Sequence, residues 1–209
     1  MKDLSMMKPR IKICGLTRAE DVDVVLAAGA DAIGLVFYPP SPRYVDLAVA
    51  AELARRIPPF VSIVGLFVNA APERVHATLA ALPIHLLQFH GDEDDAYCRQ
   101  FDRPFMKAAR VKPGMDLVQY CARFPSAQAI LLDAFVEGYG GGGKVFDWSL
   151  IPSVLSKPIV LCGGLDAENV GAALAQVRPA AVDVSSGVES AKGIKDAVKV
   201  RAFVRAVRA

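Results

Sequence analysis

A lone carboxylate followed by a run of glycines is the first place in this chain where chemistry is expected. Asp133 ends the apolar segment 130–133, residues 140–143 are all glycine, and Lys144 comes directly after them. A strand that delivers an acid into a long glycine-rich loop is typical of an active-site wall. A buried strand with a capping aspartate and an ordinary linker is the alternative interpretation.

Polar or glycine residues also follow other apolar, strand-like segments. Backbone N–H groups in glycine turns can bind a phosphate dianion, and glycine allows the ligand to approach closely. We therefore predict that Gly164 and Gly187 bind phosphate, with Gly142 or Gly143 contributing from the glycine run; a tight turn without ligand is the alternative for each. The other candidates for substrate contact are Cys14, Arg43, Gln88, His90 and Ser186.

The composition limits the class of protein. The 209 residues are 53% apolar and carry a net charge of +2, which predicts one domain with one sizeable core. Because the charges are dispersed, neither nucleic acid nor a membrane surface is implied as a partner. The polar N-terminus lacks the apolar centre of a signal peptide and no run is long enough to span a bilayer, so a cytoplasmic protein is expected. The four cysteines show no CxxC spacing, so no zinc site is expected.

Strand-like and helix-like segments alternate along the chain, eight of each. Thr17 with Glu20 three residues later predicts a capping box at the start of the first helix, and Gly29 predicts its end. The predicted strands are 10–14, 32–37, 61–68, 85–89, 105–109, 130–133, 158–161 and 181–185. The predicted helices are 17–28, 47–56, one from 72, 92–101, 115–124, a short one after the glycine run, 167–177 and 194–207.

Eight strand–helix units of similar length predict an α/β fold, a single small (β/α)8 TIM barrel of the phosphate-binding type. The barrel is expected over residues 10–209, with residues 1–9 as a loosely attached N-terminal extension. An open doubly wound sheet is the alternative, but the glycine fingerprint expected after its first strand is missing. Active sites of such barrels lie at the carboxyl ends of the strands, where the polar residues above are found.

Seven ordered segments of this chain resemble those of the phosphoribosylanthranilate isomerase family. They are KICGLT, FYPPSPRYV, LQFHGDE, LLDA, YGGGGKVFDW, GGLDAENV and VDVSSGVE. The resemblance implies an Amadori rearrangement in tryptophan biosynthesis by general acid–base catalysis, without a metal or an organic cofactor. The substrate would be a small phosphosugar, N-(5-phosphoribosyl)anthranilate, and the product 1-(2-carboxyphenylamino)-1-deoxyribulose 5-phosphate.

The resemblance also implies roles for individual residues. Asp133 matches the general acid, which protonates the furanose ring oxygen, and Cys14 matches the general base, which removes the C2 proton. Arg43 matches the residue that holds the anthranilate carboxylate. Two alternatives remain open: Cys14 could be a small buried apolar side chain, and His90 could take an acid–base role because histidine titrates near neutrality.

Cys14 must supply a thiolate, which requires nearby positive charge or oriented N–H groups. Lys12 lies on the same face of the first strand, because side chains alternate along a strand. A lone ammonium group inside a barrel is costly, so it needs a partner. Strand eight lies beside strand one in a closed barrel. We therefore predict that Lys12 pairs with Asp183 beneath the site.

Other functions fit parts of the pattern. A histidine-pathway phosphosugar isomerase runs the same rearrangement on a larger substrate, but that family has aspartate where Cys14 stands and shows a two-half repeat. A phosphosugar epimerase would need a His/Asp metal-ligand set, which the sequence lacks. The non-enzymatic alternative is a barrel that binds a phosphosugar without turnover. A monomer and a homodimer both remain open.

Overall fold

Eight parallel strands close into one barrel in sequence order, with the eighth strand paired to the first. The computed structural model describes residues 8–134 and 146–209. The barrel strands are β1 (Arg10–Cys14), β2 (Ala32–Val36), β3 (Ser62–Phe67), β4 (Leu86–Phe89), β5 (Phe105–Val111), β6 (Ala129–Ala134), β7 (Ile159–Leu161) and β8 (Ala181–Val184). The predicted (β/α)8 barrel is therefore confirmed.

Helices connect successive strands. They are α1 (Ala19–Ala28), α2 (Leu47–Ala54), α3 (Pro72–Ala81), α4 (Asp95–Arg99), α5 (Leu117–Ala122), α6 (Val170–Val177) and α7 (Ala197–Arg208). A single 3-10 turn, Trp148–Leu150, stands between β6 and β7 in the described residues, and another, Ser186–Val188, follows β8. None of the helices in residues 8–134 and 146–209 is long and apolar enough to cross a membrane.

Alternation along the strands produces two buried layers. Ile11 and Ile13 of β1 lie in the large apolar layer between the strands and the helices. Val64, Met106 and Leu131 belong to a second cluster that fills the barrel interior. Because side chains alternate with period two, the intervening residues of β1 face inward. The polar inward positions near the carboxyl ends of the strands are therefore available for chemistry.

The predicted capping box of the first helix is wrong. The residue before α1 is Arg18, whose side chain makes no capping hydrogen bond. The hydroxyl of Thr17 donates instead to the carbonyl of Gly193, at 2.7 Å. The guanidinium of Arg18 pairs with Asp21 in the first helical turn. A distant loop thus competes for the hydroxyl that the local pattern assigned to the helix.

The last helix begins later than predicted because the preceding residues form a hairpin. Strands β9 (Glu189–Ala191) and β10 (Ile194–Lys195) pair antiparallel, and Asp196 then caps α7 by accepting hydrogen bonds from two N–H groups. This hairpin, which the sequence did not predict, lies directly after the strand that neighbours β1. It brings two charged residues to the site described below.

Asp31 ties the first strand to the last helix. Its carboxylate accepts hydrogen bonds from Arg10 Nη1 at 2.7 Å, from the N–H of Ile11 at 2.8 Å and from Arg208 Nη2 at 2.6 Å. Burial acts to raise the pKa of Asp31, but these three donors outweigh it, so the pKa lies below its ordinary value. The first strand and the last helix are thereby held together at the amino-terminal end of the barrel.

Candidate active site

Four residues predicted for proton transfer or substrate contact lie at the carboxyl ends of their strands. Cys14 ends β1, Asp133 is the penultimate residue of β6, and Gln88 lies near the end of β4 with His90 just beyond it. All four are buried. The closed barrel therefore places residues that are more than one hundred positions apart in the chain at the same end.

Asp133 is held by a short chain of hydrogen bonds that begins at Gln88. Gln88 Nε2 lies 3.1 Å from His90 Nδ1, and His90 Nε2 lies 3.1 Å from Asp133 Oδ2. The other oxygen, Oδ1, accepts a hydrogen bond from the N–H of Ala134 at 2.9 Å. If the amide donates to Nδ1, the ring carries a hydrogen on Nε2 and donates a hydrogen bond to the carboxyl group of Asp133. His90 thus contacts and orients Asp133.

The predicted ion pair beneath the thiol is confirmed. Lys12 Nζ lies 2.7 Å from Asp183 Oδ2, and both side chains are buried. Burial acts to lower the pKa of Lys12, but Asp183 and Cys14 outweigh it and the pKa is raised. Lys12 is therefore a permanent cation beneath the sulfur. Burial raises the pKa of Cys14, and the attraction of Lys12 counteracts part of that rise.

A second cysteine, Cys162, has a different charge environment from that of Cys14. It also stands just after a strand and before a glycine, but Asp133 and Asp183 influence its thiol more strongly than Lys12 does. Burial raises the pKa of the Cys162 thiol well above its ordinary value, and both carboxylates raise it further. Cys14 has Lys12 and Lys195 as cationic neighbours. Positive charge therefore has more influence on the pKa of Cys14 than on that of Cys162, although Lys12 and Asp183 act on both.

Gly34 leaves room for the sulfur of Cys14. It pairs with Cys14 across β1 and β2, and a Cβ built at Gly34 would lie 2.6 Å from Cys14 Sγ. That distance is well inside van der Waals contact, so any side chain here would displace the thiol. Sequence reasoning missed Gly34, because a glycine inside a strand signals only that something approaches closely.

Arg43, predicted to hold a carboxylate, spans the mouth of the barrel between two loops. Its stem packs on Gly15, directly after Cys14, and its Nε and Nη2 donate to Glu189 at 2.8 and 2.7 Å. Lys195 Nζ also donates to Glu189, at 2.8 Å. Sequence reasoning missed both Glu189 and Lys195, although Glu189 closes the segment VDVSSGVE. The guanidinium is thus held beside the thiol by a buried carboxylate.

The loops after β7 and β8 pack against each other at the predicted phosphate end. Gly163 and Gly164 both have positive φ, +86° and +64°, and a Cβ at Gly163 would lie 2.6 Å from the nitrogen of Ala134. A Cβ at Gly187 would collide with the carbonyl oxygen of Leu165. Close backbone approach therefore requires glycine at 163 and 187.

The phosphate ligands themselves stay a prediction. Gly164 and Gly187 lie on these adjacent loops, and Ser186 begins the 3-10 turn after β8. Asn169 Nδ2 donates to the carbonyl of Gly164 at 2.8 Å, which holds that loop on the start of α6. Gly142 and Gly143, together with Lys144, lie outside the residues that the structure describes.

Comparisons with known proteins identify relatives along nearly the whole chain. The family model described as N-(5'phosphoribosyl)anthranilate (PRA) isomerase matches residues 11–206. A relative from Dechloromonas aromatica (strain RCB), named N-(5'-phosphoribosyl)anthranilate isomerase, is 68% identical over 202 residues and covers 97% of each protein. A relative of the same name from Leptothrix cholodnii is 65% identical over 205 residues, 98% of this chain and 93% of that protein.

The solved structures that this chain resembles include phosphoribosyl anthranilate isomerases. The crystal structure of phosphoribosyl anthranilate isomerase from Thermotoga maritima has a TM-score of 0.89 and 40% identity, over 96% of this chain and 98% of that one. A structure of phosphoribosyl anthranilate isomerase in complex with reduced 1-(o-carboxyphenylamino)-1-deoxyribulose 5-phosphate has a TM-score of 0.84 and 38% identity, with the same coverage.

Proposed function

Because the chain belongs to the N-(5'-phosphoribosyl)anthranilate isomerase family, we propose that Cys14 and Asp133 are the base and the acid of its reaction. The enzyme is an isomerase of tryptophan biosynthesis that converts N-(5-phosphoribosyl)anthranilate to 1-(2-carboxyphenylamino)-1-deoxyribulose 5-phosphate. This reaction opens a furanose ring and moves a proton from C2 to C1. It requires an acid and a base on opposite sides of one sugar.

One observation carries the assignment of the two residues: both lie at the carboxyl ends of strands of the same barrel, with β7 and β8 between these strands. Neighbouring strands lie about 4.8 Å apart, so three spacings separate the two backbones by about 14 Å along the wall. Both side chains are at inward positions, which shortens the gap between the sulfur and the carboxyl group. A ribose ring fits between groups arranged in this way.

The proposed chemistry starts at Asp133. Its carboxyl group gives a proton to the furanose oxygen, the C1–O bond breaks, and the substrate nitrogen forms a Schiff base with C1. The Cys14 thiolate then removes the proton from C2, and the electron pair moves toward nitrogen to form an enolamine. Transfer of the enol proton and protonation of C1 produce the ketone. Each positioned proton-transfer group is worth about 10²–10⁴ in rate.

Neighbouring residues support these two steps. His90 orients the carboxyl group of Asp133, and Lys12 stabilises the thiolate of Cys14 through its charge. We assign the substrate carboxylate to Arg43. The phosphate is assigned to Gly164, Ser186 and Gly187, on the two glycine-containing loops, with Gly142 and Gly143 as further candidates.

The cellular setting is also a proposal. All four cysteines are free thiols, which suits a reducing compartment such as the cytoplasm. We propose residues 10–209 as one catalytic domain that acts on a phosphosugar as a monomer or homodimer. A Thermotoga maritima relative, described as a dimeric enzyme from which monomers were generated, supports both states.

The test follows loss of phosphoribosylanthranilate fluorescence in wild type, Cys14→Ala and Asp133→Asn. We expect each variant to lose about 10²–10⁴ in kcat, while Asp133→Asn keeps its affinity for the reduced product analogue. Cys98→Ala, in α4, is the matched control and should turn over normally. Near-wild-type turnover by Cys14→Ala would reject the assigned base. Absence of turnover in wild type would instead favour a barrel that only binds phosphosugar.

A further inference from the structure

Arg43, Glu189 and Lys195 form a buried group of three charged side chains at the barrel mouth. Arg43 Nε and Nη2 bind the two carboxylate oxygens of Glu189 side by side, and Lys195 Nζ binds the same carboxylate at Oε1. The Arg43 and Glu189 side chains are only 9% and 5% exposed, and that of Lys195 is fully buried. Two cations and one carboxylate leave one positive charge. That surplus acts on the Cys14 thiol and also favours a bound anion at the barrel mouth.

The geometry of arginine shows where that anion can bind. A guanidinium has two edges that can each hold a carboxylate with two parallel hydrogen bonds. Glu189 occupies the edge formed by Nε and Nη2. No residue in 8–134 or 146–209 accepts a hydrogen bond from Nη1. The edge formed by Nη1 and Nη2 is therefore available for a second carboxylate.

The hairpin after β8 holds Glu189 in place. Glu189 and Lys195 lie opposite each other on β9 and β10. Lys195 Nζ also donates to the carbonyl of Ser185 at 3.2 Å, and its backbone N–H donates to Asp21 at 3.1 Å. Lys199 Nζ donates to the carbonyl of Glu189 at 2.8 Å. These contacts restrain the Glu189 carboxylate, so it accepts the hydrogen bonds of Arg43 in one orientation.

We infer that Glu189, restrained by Lys195, is a positioning residue that aims the free edge of Arg43 at the carboxylate of the substrate. The inference rests on the proposed role of Arg43. It makes the hairpin a determinant of specificity, because correct aim matters only for substrates that carry a carboxylate. Loss of Glu189 would leave the charge of Arg43 in place but allow its long side chain to sample other rotamers.

The test compares two ligands by calorimetry. One is reduced 1-(o-carboxyphenylamino)-1-deoxyribulose 5-phosphate, and the other is the same compound without its carboxyl group. For Glu189→Gln we expect the carboxylated ligand to bind about 10- to 100-fold more weakly, the scale of misaligned charge-assisted hydrogen bonds. The ligand without the carboxyl group should change less than about twofold. Glu20→Gln, an exposed glutamate paired with Arg18, is the control and should change neither affinity.

Arg43→Met separates this inference from the proposed function. It should weaken only the carboxylated ligand, and adding Glu189→Gln to it should weaken that ligand no further. If Arg43→Met has no effect, the proposed role of Arg43 fails. If Arg43→Met acts but Glu189→Gln leaves binding unchanged, tightens it or weakens both ligands equally, the positioning role alone is overturned. Should Glu189→Gln not fold, Lys195→Met removes the restraint more mildly and must act in the same direction.

Discussion

Replacing Lys12 by methionine tests the electrostatic basis of the thiol site. Methionine is similar in length to lysine but removes the ammonium that binds Asp183 and Cys14. Burial raises the pKa of Cys14, and Lys12 is the largest opposing influence. Its loss raises the pKa of the thiol further, so less thiolate is present at a given pH.

The size of the effect follows from contact distance. A cation at hydrogen-bonding range lowers a neighbouring pKa by about 1 to 3. The rising limb of the kcat/KM profile should therefore move to higher pH by at least about 1, and turnover at neutral pH should fall at least about tenfold. Stability should fall by about 3–5 kcal/mol. The reason is that Asp183 Oδ1 has no partner in the described residues, so the variant leaves a buried carboxylate unpaired.

Two measurements check this prediction: fluorescence-based turnover across pH, and urea unfolding at neutral pH. The double variant Lys12→Met/Asp183→Asn serves as control, because it removes both charges. It should recover most of the lost free energy of unfolding. The rising limb of its kcat/KM profile should still lie at higher pH than in the wild type, because Lys12 influences the pKa of Cys14 more than Asp183 does. If the rising limb of the kcat/KM profile of Lys12→Met stays at the wild-type pH or moves to lower pH, the reasoning is refuted.

Two further perturbations address packing and pH. Gly34→Ala should displace the Cys14 thiol and lower kcat at least about tenfold, while the product analogue still binds. The control is Gly171→Ala, at a helical glycine with open space around it, which should keep full activity. Equal activity in the two variants would contradict the packing argument. Asp31→Asn should lower unfolding free energy at neutral pH by about 1.5–3 kcal/mol. Because the pKa of Asp31 is lowered in the fold, its stabilisation is present above the ordinary aspartate value and lost as pH falls through the folded value. Urea unfolding should thus show wild type and variant converging in acid, and a constant difference would contradict this.

Local patterns were enough to predict the barrel and one of its buried ion pairs. Alternating strand-like and helix-like segments require only neighbouring residues, and a closed parallel barrel then places every strand end on one face. The same closure makes β8 the neighbour of β1, which is why the pairing of Lys12 with Asp183 could be predicted and is confirmed. In the same way, Cys14 and Asp133 were predicted to lie at the carboxyl ends of their strands, where the structure places them.

Tertiary structure alone decided the rest, because those contacts join loops whose lengths and directions no local pattern encodes. Arg43 and Glu189 are 146 positions apart, and their pairing depends on a hairpin that forms only when the loop after β8 folds back. The spacing of Thr17 and Glu20 predicted a helix cap, yet the hydroxyl of Thr17 donates its hydrogen bond to the carbonyl of Gly193. Hydrophobic periodicity thus determined which residues reach the barrel mouth. The packing of its loops determined which of them touch.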